Sequence, residues 1–243
     1  MRSEDRPAYY ALRRGGWRDY LTLLHPPYTA WHLSYVAIGA AVAPHVVGWR
    51  LALSLGAFFL GVGLSAHAMD ELSGRPLGTA IPTPVLVAIA VVGLAGGVAL
   101  GILGAALTTW WLLAFVAFGG FIVVAYNLEL AGGRFHSDLW FAAAWGAFPA
   151  LTSYVTQAET VRWPAVAVSV GCLCVSAAQR HLSKEVRRLR REVASVEGRL
   201  VMRDGSTAAL DRGAIRAGPE AALRAMATGM SLLGAGLVAA RLA

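Results

Sequence analysis

The stretch TPVLVAIAVVGLAGGVALGILG, residues 83–104, decides the fold class, because it carries no charge over a length that suffices to cross a membrane. A bilayer's hydrocarbon core takes about 20 apolar residues of helix to traverse. Working outward, six further apolar stretches of this kind occur, at about 28–48, 51–70, 106–126, 139–157, 163–179 and 219–240. The 243-residue chain is 57% hydrophobic and only 14% charged, whereas soluble domains carry roughly 25% charged residues. The expected architecture is an all-α polytopic transmembrane helical bundle with about seven spans. The first apolar stretch is too long for a signal-peptide core, so no cleaved targeting segment is expected. Within 83–104, Gly93, Gly97 and Gly101 form a ladder of small residues. Lipid supplies no hydrophobic drive between helices, so such ladders are where backbones approach closely.

A net charge of +7 invites a nucleic-acid reading, but the placement of the charges opposes it. Arg2, Arg6, Arg13, Arg14 and Arg18 precede the first span, and Arg187, Arg188, Arg190, Arg191, Arg199, Arg203, Arg212 and Arg216 lie between the sixth and seventh. The opposite side holds Arg50 and Arg162, with Arg241 at the tail. This asymmetry fits the positive-inside rule with the N-terminus cytosolic and, after seven crossings, the C-terminus outside, and a plasma (inner) membrane is the expected location. Residues 1–24 then form a cytosolic basic, interfacial lead-in, 25–179 a six-span bundle, 180–218 a cytosolic basic amphipathic helix and connector, and 219–243 the final span. Leu182, Val186, Leu189, Val193, Val196 and Leu200 make a heptad-like stripe, too short for a coiled coil and better suited to lipid or to packing within the chain. Residues 201–218 read as a flexible connector. Cys172 and Cys174, two apart on one helix, point to different faces and read as packing residues. Trp110, Trp111, Trp140, Trp145 and Trp163 suit interfacial anchoring or packing.

Two polar clusters stand at the cytosolic mouths of spans: His67-Ala68-Met69-Asp70-Glu71-Leu72-Ser73-Gly74-Arg75 and Gln179-Arg180-His181-Leu182-Ser183-Lys184-Glu185. Positions three or four apart share a helix face, so His67 with Asp70, and His181 with Glu185, can each present two metal ligands. Arg75, Arg180, Lys184 and Arg134 supply cations for phosphate oxygens. This combination suits a lipid diphosphate whose charge must be neutralised as its carbon–oxygen bond breaks. The bland accounts stand beside it: Asp70 as a helix-end residue or partner of Arg75, His67 as a histidine bonded to a neighbouring helix, and His181 with Glu185 as a solvated face. Glu71 reads as solvated, His32 as a hydrogen-bonded packing residue, and Ser137 or Asp138 as the N-cap of the fifth span.

The order of these elements resembles the UbiA superfamily of membrane prenyltransferases, nearest the branch that prenylates dihydroxynaphthoate for menaquinone. That branch carries a motif like N-D-x-x-D-x-x-x-G after span two, and Asp70 and Gly74 match it here. Its middle loop begins with a tyrosine and runs through glycines to a span ending near Y-x-x-Q-x-x-x-x-x-W-P. Tyr126, Gly132, Gly133, Tyr154, Gln157, Trp163 and Pro164 match that pattern. Its second motif resembles N-N-x-R-D-x-x-x-D, where this chain keeps Arg180 but has His181 and Glu185 at the aspartate positions, and His25-Pro26 stands where the family has Arg-Pro. The resemblance covers roughly residues 20–190, and beyond it the family has about three more spans where this chain has one.

The resemblance implies transfer of an isoprenoid chain from its diphosphate to an aromatic or lipid acceptor. Asp70 and Arg180 would be catalytic, Arg75, Arg180, Lys184 and Arg134 would bind diphosphate, and Tyr126 and Asn127 would lie on the acceptor side. A divalent metal on His67, Asp70, His181 and Glu185 is expected, Mg by resemblance, with Zn, Mn or Fe favoured by the imidazoles. The alternative is a catalytically silent relative acting as a lipid-binding or scaffolding subunit. Expected partners are a polyprenyl diphosphate or other lipid substrate and membrane lipids, with no nucleic acid.

Overall fold

The computed structural model describes residues 6–243, and Arg2 lies outside them. A short helix α1 (Trp17–Leu23) leads into α2 (Pro26–Val42), α3 (Gly48–Leu72), α4 (Thr83–Leu107), α5 (Leu112–Asn127), α6 (138–158) and α7 (Trp163–Arg191). An exposed antiparallel hairpin, β1 (Gly198–Val201) and β2 (Thr207–Leu210), precedes the last helix, α8 (Arg212–Leu242). The chain is an all-α membrane helical bundle: α3, α4, α7 and α8 are long and apolar enough to cross a bilayer, and α5 is a shorter apolar helix.

Local sequence explains where the helices begin and stop. Proline fixes its own φ and lacks an N–H, so it is tolerated in a first turn. Pro26 and Pro27 open α2, Pro84 sits at the start of α4 and Pro164 at the start of α7. The expected first span of 28–48 contracts to Pro26–Val42, because Ala43 precedes Pro44 and turns extended at ψ 156°. Ser137, not Asp138, is the N-cap of α6, its hydroxyl accepting from the Trp140 N–H at 3.2 Å. Asp211 caps α8 through the Ala214 N–H at 2.7 Å.

The basic segment after the sixth span also differs from expectation. It continues α7 as one helix of 29 residues, and the inward half of its stripe, Val186 and Leu189, is buried within the bundle. The helix stops at Arg191, so Val193, Val196 and Leu200 leave the stripe, Leu200 joining β1. The connector expected over 201–218 is replaced by the hairpin and the first turns of α8, with Pro219 inside that helix.

Packing rests on close backbone approach. A β-carbon at Gly39 of α2 would overlap the carbonyl oxygen of Ala150 in α6. At Gly234 of α8 it would stand 3.0 Å from the Ser34 carbonyl oxygen, and at Gly146 of α6 it would stand 2.6 Å from that of Cys172 in α7. The glycine ladder splits between neighbours: Gly93 and Gly97 face α3, while Gly101 faces Val116 of α5. One end of the bundle is closed by cations on carbonyls. Arg50 donates to the carbonyl oxygens of Thr156 and Gln157 at 3.2 and 3.0 Å and pairs with Glu159 at 2.6 Å. Arg241 donates to those of Ala43 and Pro44 at 2.9 and 2.5 Å.

Gly39→Ala should therefore force α2 away from α6, with a loss of about 1–3 kcal/mol or more. Gly236→Ala, facing open space, should leave stability unchanged or slightly raised. Thermal unfolding of both variants in detergent checks this, and equal midpoints for the two would contradict it.

Candidate functional site

At the end of the bundle opposite Arg50 and Arg241 lies a cavity of about 350 Å³ with mixed polar and aromatic walls. It is built where the N-terminus of α2 meets the ends of α3, α5 and α7. The segment Pro7–Tyr10 lies across it.

His25 takes a left-handed conformation at φ 46°, immediately before the paired prolines that open α2. That bend lays its ring on His67 of α3, with centroids 4.1 Å apart and planes 10° from parallel. The Tyr10 hydroxyl is 2.8 Å from His25 Nδ1. Burial, then the His67 ring and the Arg191 and Arg187 guanidiniums, hold the His25 imidazole well below its ordinary pKa. A phenol is the stronger acid and a neutral imidazole nitrogen the stronger acceptor, so we assign Tyr10 as donor to Nδ1. His25 Nε2 then carries the proton. It is buried, lines the cavity wall and has no partner. His67 Nδ1 donates to the Gly63 carbonyl oxygen at 3.2 Å.

His67 follows directly on a π-helical stretch of α3, Phe59–Ala66, and a second one in α6, Ala143–Ala147, contains Trp145. Such widened turns shift the register of the side chains that follow. Both Val62 and Trp145 line the cavity, and both also line an apolar groove of about 90 Å³ between α3, α4, α5 and α6. Phe58, Phe115 and Phe148 and the glycine faces of α4 and α5 form that groove. A polar chamber thus abuts an apolar one.

On α7, Arg180, Arg187 and Arg191 reach the cavity. Arg180 donates from Nε to Asp138 Oδ1 at 3.0 Å and lies over the Phe141 ring at 4.9 Å. That hydrogen bond draws the Asp138 carboxyl below its ordinary range. Arg191 donates to the Pro7 carbonyl oxygen at 3.4 Å. Arg187 pairs with no carboxylate among the described residues. It is half-buried, with the Arg180 and Arg191 charges and the Asp70 carboxylate acting on it.

The sequence-expected residues divide into two groups. His67, Asp70, Tyr126, Asn127 and Arg180 line the cavity. Asp70 sits exposed at its rim, and the Tyr126 ring stacks on His136 at 4.4 Å with its hydroxyl unpartnered. Asn127 donates to the Val123 carbonyl oxygen at 2.7 Å. Arg75, Arg134, His181, Lys184 and Glu185 do not line it. Arg75 ties its own loop, donating to the Ile81 carbonyl oxygen at 2.6 Å and to the Thr83 hydroxyl at 2.8 Å. Lys184 joins Asp138 at 3.4 Å, Glu185 pairs with Arg188 at 2.8 Å, and His181 and Arg134 are exposed. The four expected metal donors therefore do not converge, because His181 and Glu185 lie on the solvent-facing side of α7. No group of three or more His, Cys, Asp or Glu side chains suited to a metal occurs among the described residues.

Two other expectations change. Glu71 is fully buried rather than solvated, accepting from the Leu77 N–H at 2.9 Å and from the Thr79 N–H and hydroxyl at 2.8 Å each. With Asp19, which accepts from the Ala80 N–H at 2.8 Å, it pins the loop after α3. His32 also lines the cavity, its ring hydrogen-bonded to the Tyr28 backbone and packed edge-on against Tyr35 and Phe141. Arg187, Arg191 and His25 were not among the expected site residues. The clue to the arginines was spacing, since positions 180, 187 and 191 fall on one helical face.

No family model matches the chain, and no curated protein or solved structure matches it.

Charge-assisted hydrogen bonds contribute about 1.5–3 kcal/mol each. Glu71→Ala should thus cost about 2–4 kcal/mol in chemical denaturation, while Asp70→Ala, one residue away and exposed, should stay within about 0.5 kcal/mol of the parent. Similar losses for both would remove the loop-clamp role.

Proposed function

We propose that the chain is a membrane-embedded prenyltransferase of the UbiA type, moving an isoprenoid chain from its diphosphate to an aromatic or lipid acceptor. The supporting observation is the pairing of the two chambers. A cation-lined polar cavity shares Val62 and Trp145 with an apolar groove, matching an amphiphile with an anionic head and a hydrocarbon tail. On this reading the membrane is the plasma membrane, and the positive-inside bias supports a cytosolic mouth and N-terminus with the C-terminus outside.

On this reading the prenyl chain lies in the groove. The allylic carbon–oxygen bond breaks, the acceptor forms a bond to the freed carbon and loses a proton, and diphosphate departs toward the arginines. Arg180 offsets the charge that grows on the leaving group. Asp70 stands at the rim beside His67 to take the acceptor's proton. Tyr126 and Asn127 face the acceptor.

The alternative, a lipid-binding subunit without chemistry, is favoured by one specific observation: the expected metal donors are divided between two faces of α7 and α3. Purified protein in lipid vesicles, given labelled polyprenyl diphosphate and dihydroxynaphthoate, separates the two. Transfer by the parent and a loss of at least about 100-fold in Asp70→Ala supports the enzyme. Equal rates in both would sink the role of Asp70, and binding without turnover would support the lipid-binding subunit.

A further inference from the structure

We propose that Arg187, Arg191 and His25 form a direct anion cradle, which holds the phosphate or diphosphate head of the lipid without a bridging divalent ion. This rests on the reading of the cavity as a lipid-diphosphate site and assigns how the head is held.

Arg187 is the starting point. A half-buried guanidinium that pairs with no carboxylate among the described residues is stabilised when an anion joins it. The charges acting on it are two further arginines, Arg180 and Arg191, and the Asp70 carboxylate at the rim. Arg180 is engaged by Asp138, which leaves half-buried Arg187 and exposed Arg191 as the cavity-lining guanidiniums without an ion pair among the described residues. Across from them stands His25 Nε2, a buried donor without a partner. Its tautomer is set from behind by Tyr10 and its plane by His67. The Tyr9 hydroxyl, also buried and unpartnered on the same wall, offers another donor. All of these groups donate, and none needs a metal to bind an anion.

The surroundings hold the cradle in shape. Arg190 donates to the Arg6 carbonyl oxygen at 2.9 Å and pairs with Glu220, and Arg191 donates to the Pro7 carbonyl oxygen. Arg224 lies over the Tyr9 ring at 4.8 Å. The segment Pro7–Tyr10 is therefore fastened to α7 and α8, and it carries Tyr9 and Tyr10 onto the anion position. Carboxylates that grip a diphosphate do so through a cation between them. An imidazole N–H and two guanidiniums make the same contact unaided.

The test measures binding of labelled polyprenyl diphosphate to the full chain in detergent, with EDTA and with added Mg²⁺. Parent affinity should hold within about two-fold in EDTA and fall about 10-fold or more in Arg187→Gln and in Arg191→Gln. Arg188→Gln, on the exposed face, should bind as the parent does. Thermal midpoints keep the result clear of folding defects. Removing a half-buried cation that has no ion pair among the described residues should leave the ligand-free Arg187→Gln midpoint equal or higher, while abolishing its rise on adding ligand. A lowered ligand-free midpoint, or binding that needs Mg²⁺ and ignores Arg187→Gln, overturns the cradle and leaves the lipid-diphosphate reading standing. No binding under either condition overturns both. Inorganic diphosphate binding as tightly as the lipid assigns the free anion as ligand, and lipid binding at least about 10-fold tighter assigns the headgroup.

Discussion

Contact between the backbone of α2 and those of α6 and α8 is the constraint from which the rest of the structure follows. In lipid, two apolar helix faces gain nothing by leaving one solvent for another, so association depends on how closely their backbones can meet. Gly39 against Ala150 and Gly234 against Ser34 bring both neighbours onto α2 with no side chain between them. Trp31 and Tyr35 are then buried, with the indole N–H donating to the phenol oxygen at 2.7 Å. Because α2 is clamped on two sides, its N-terminal end is a fixed platform. His25, Tyr28 and His32 stand on that platform and form one wall of the cavity.

The features legible in the sequence are those that depend on composition over a long stretch. Helices α3, α4, α7 and α8 announce themselves as apolar runs, and so does the shorter α5. The positions that escaped depend on geometry over a single turn. Asp70 and Glu71 are neighbours with the same chemistry, yet one faces the cavity rim and the other is buried beneath a loop whose path sequence alone does not reveal. Arg187 and Arg191 stand among the arginines set between the stripe residues, and half-burial separates Arg187 from its exposed neighbours Arg188 and Arg191. His181 and Glu185 share a face as their spacing requires, but it is the face turned away from α3. The hairpin was invisible because its strands are four residues each and exposed, with no buried alternation to mark them.

The two π-helical stretches connect fold to site. Each inserts its extra turn width where α3 and α6 flank the boundary between polar and apolar chambers. On α3, the register change delivers His67 to the His25 ring, one turn before the helix ends. On α6, it delivers Trp145 to the dividing wall. A regular helix through either region would rotate these side chains away from the positions they occupy, since one residue of offset is worth about 100° of rotation. Departure from regular helix in a membrane carries a hydrogen-bonding cost, and here it coincides with the only wall common to both chambers among the described residues.

The bundle's two ends use the same residue type to opposite effect, and that contrast argues for function at one of them. At one end, Arg50 and Arg241 meet carbonyl oxygens left open by helix termini, and Arg50 adds Glu159. Those cations serve the protein's own hydrogen bonding, with Arg50 Nε alone of their donors buried and left without a partner. At the other end, Arg190 is matched by Glu220, yet Arg187 pairs with no carboxylate among the described residues, and His25, Tyr9 and Tyr126 keep buried polar atoms unpaired around the same space. Structural need alone would favour apolar substitutes at such positions, because an unmatched polar group costs more than a well-packed methyl. A surplus of donors gathered around one cavity, beside a groove that accepts hydrocarbon, is what remains when an anionic amphiphile supplies the missing acceptors.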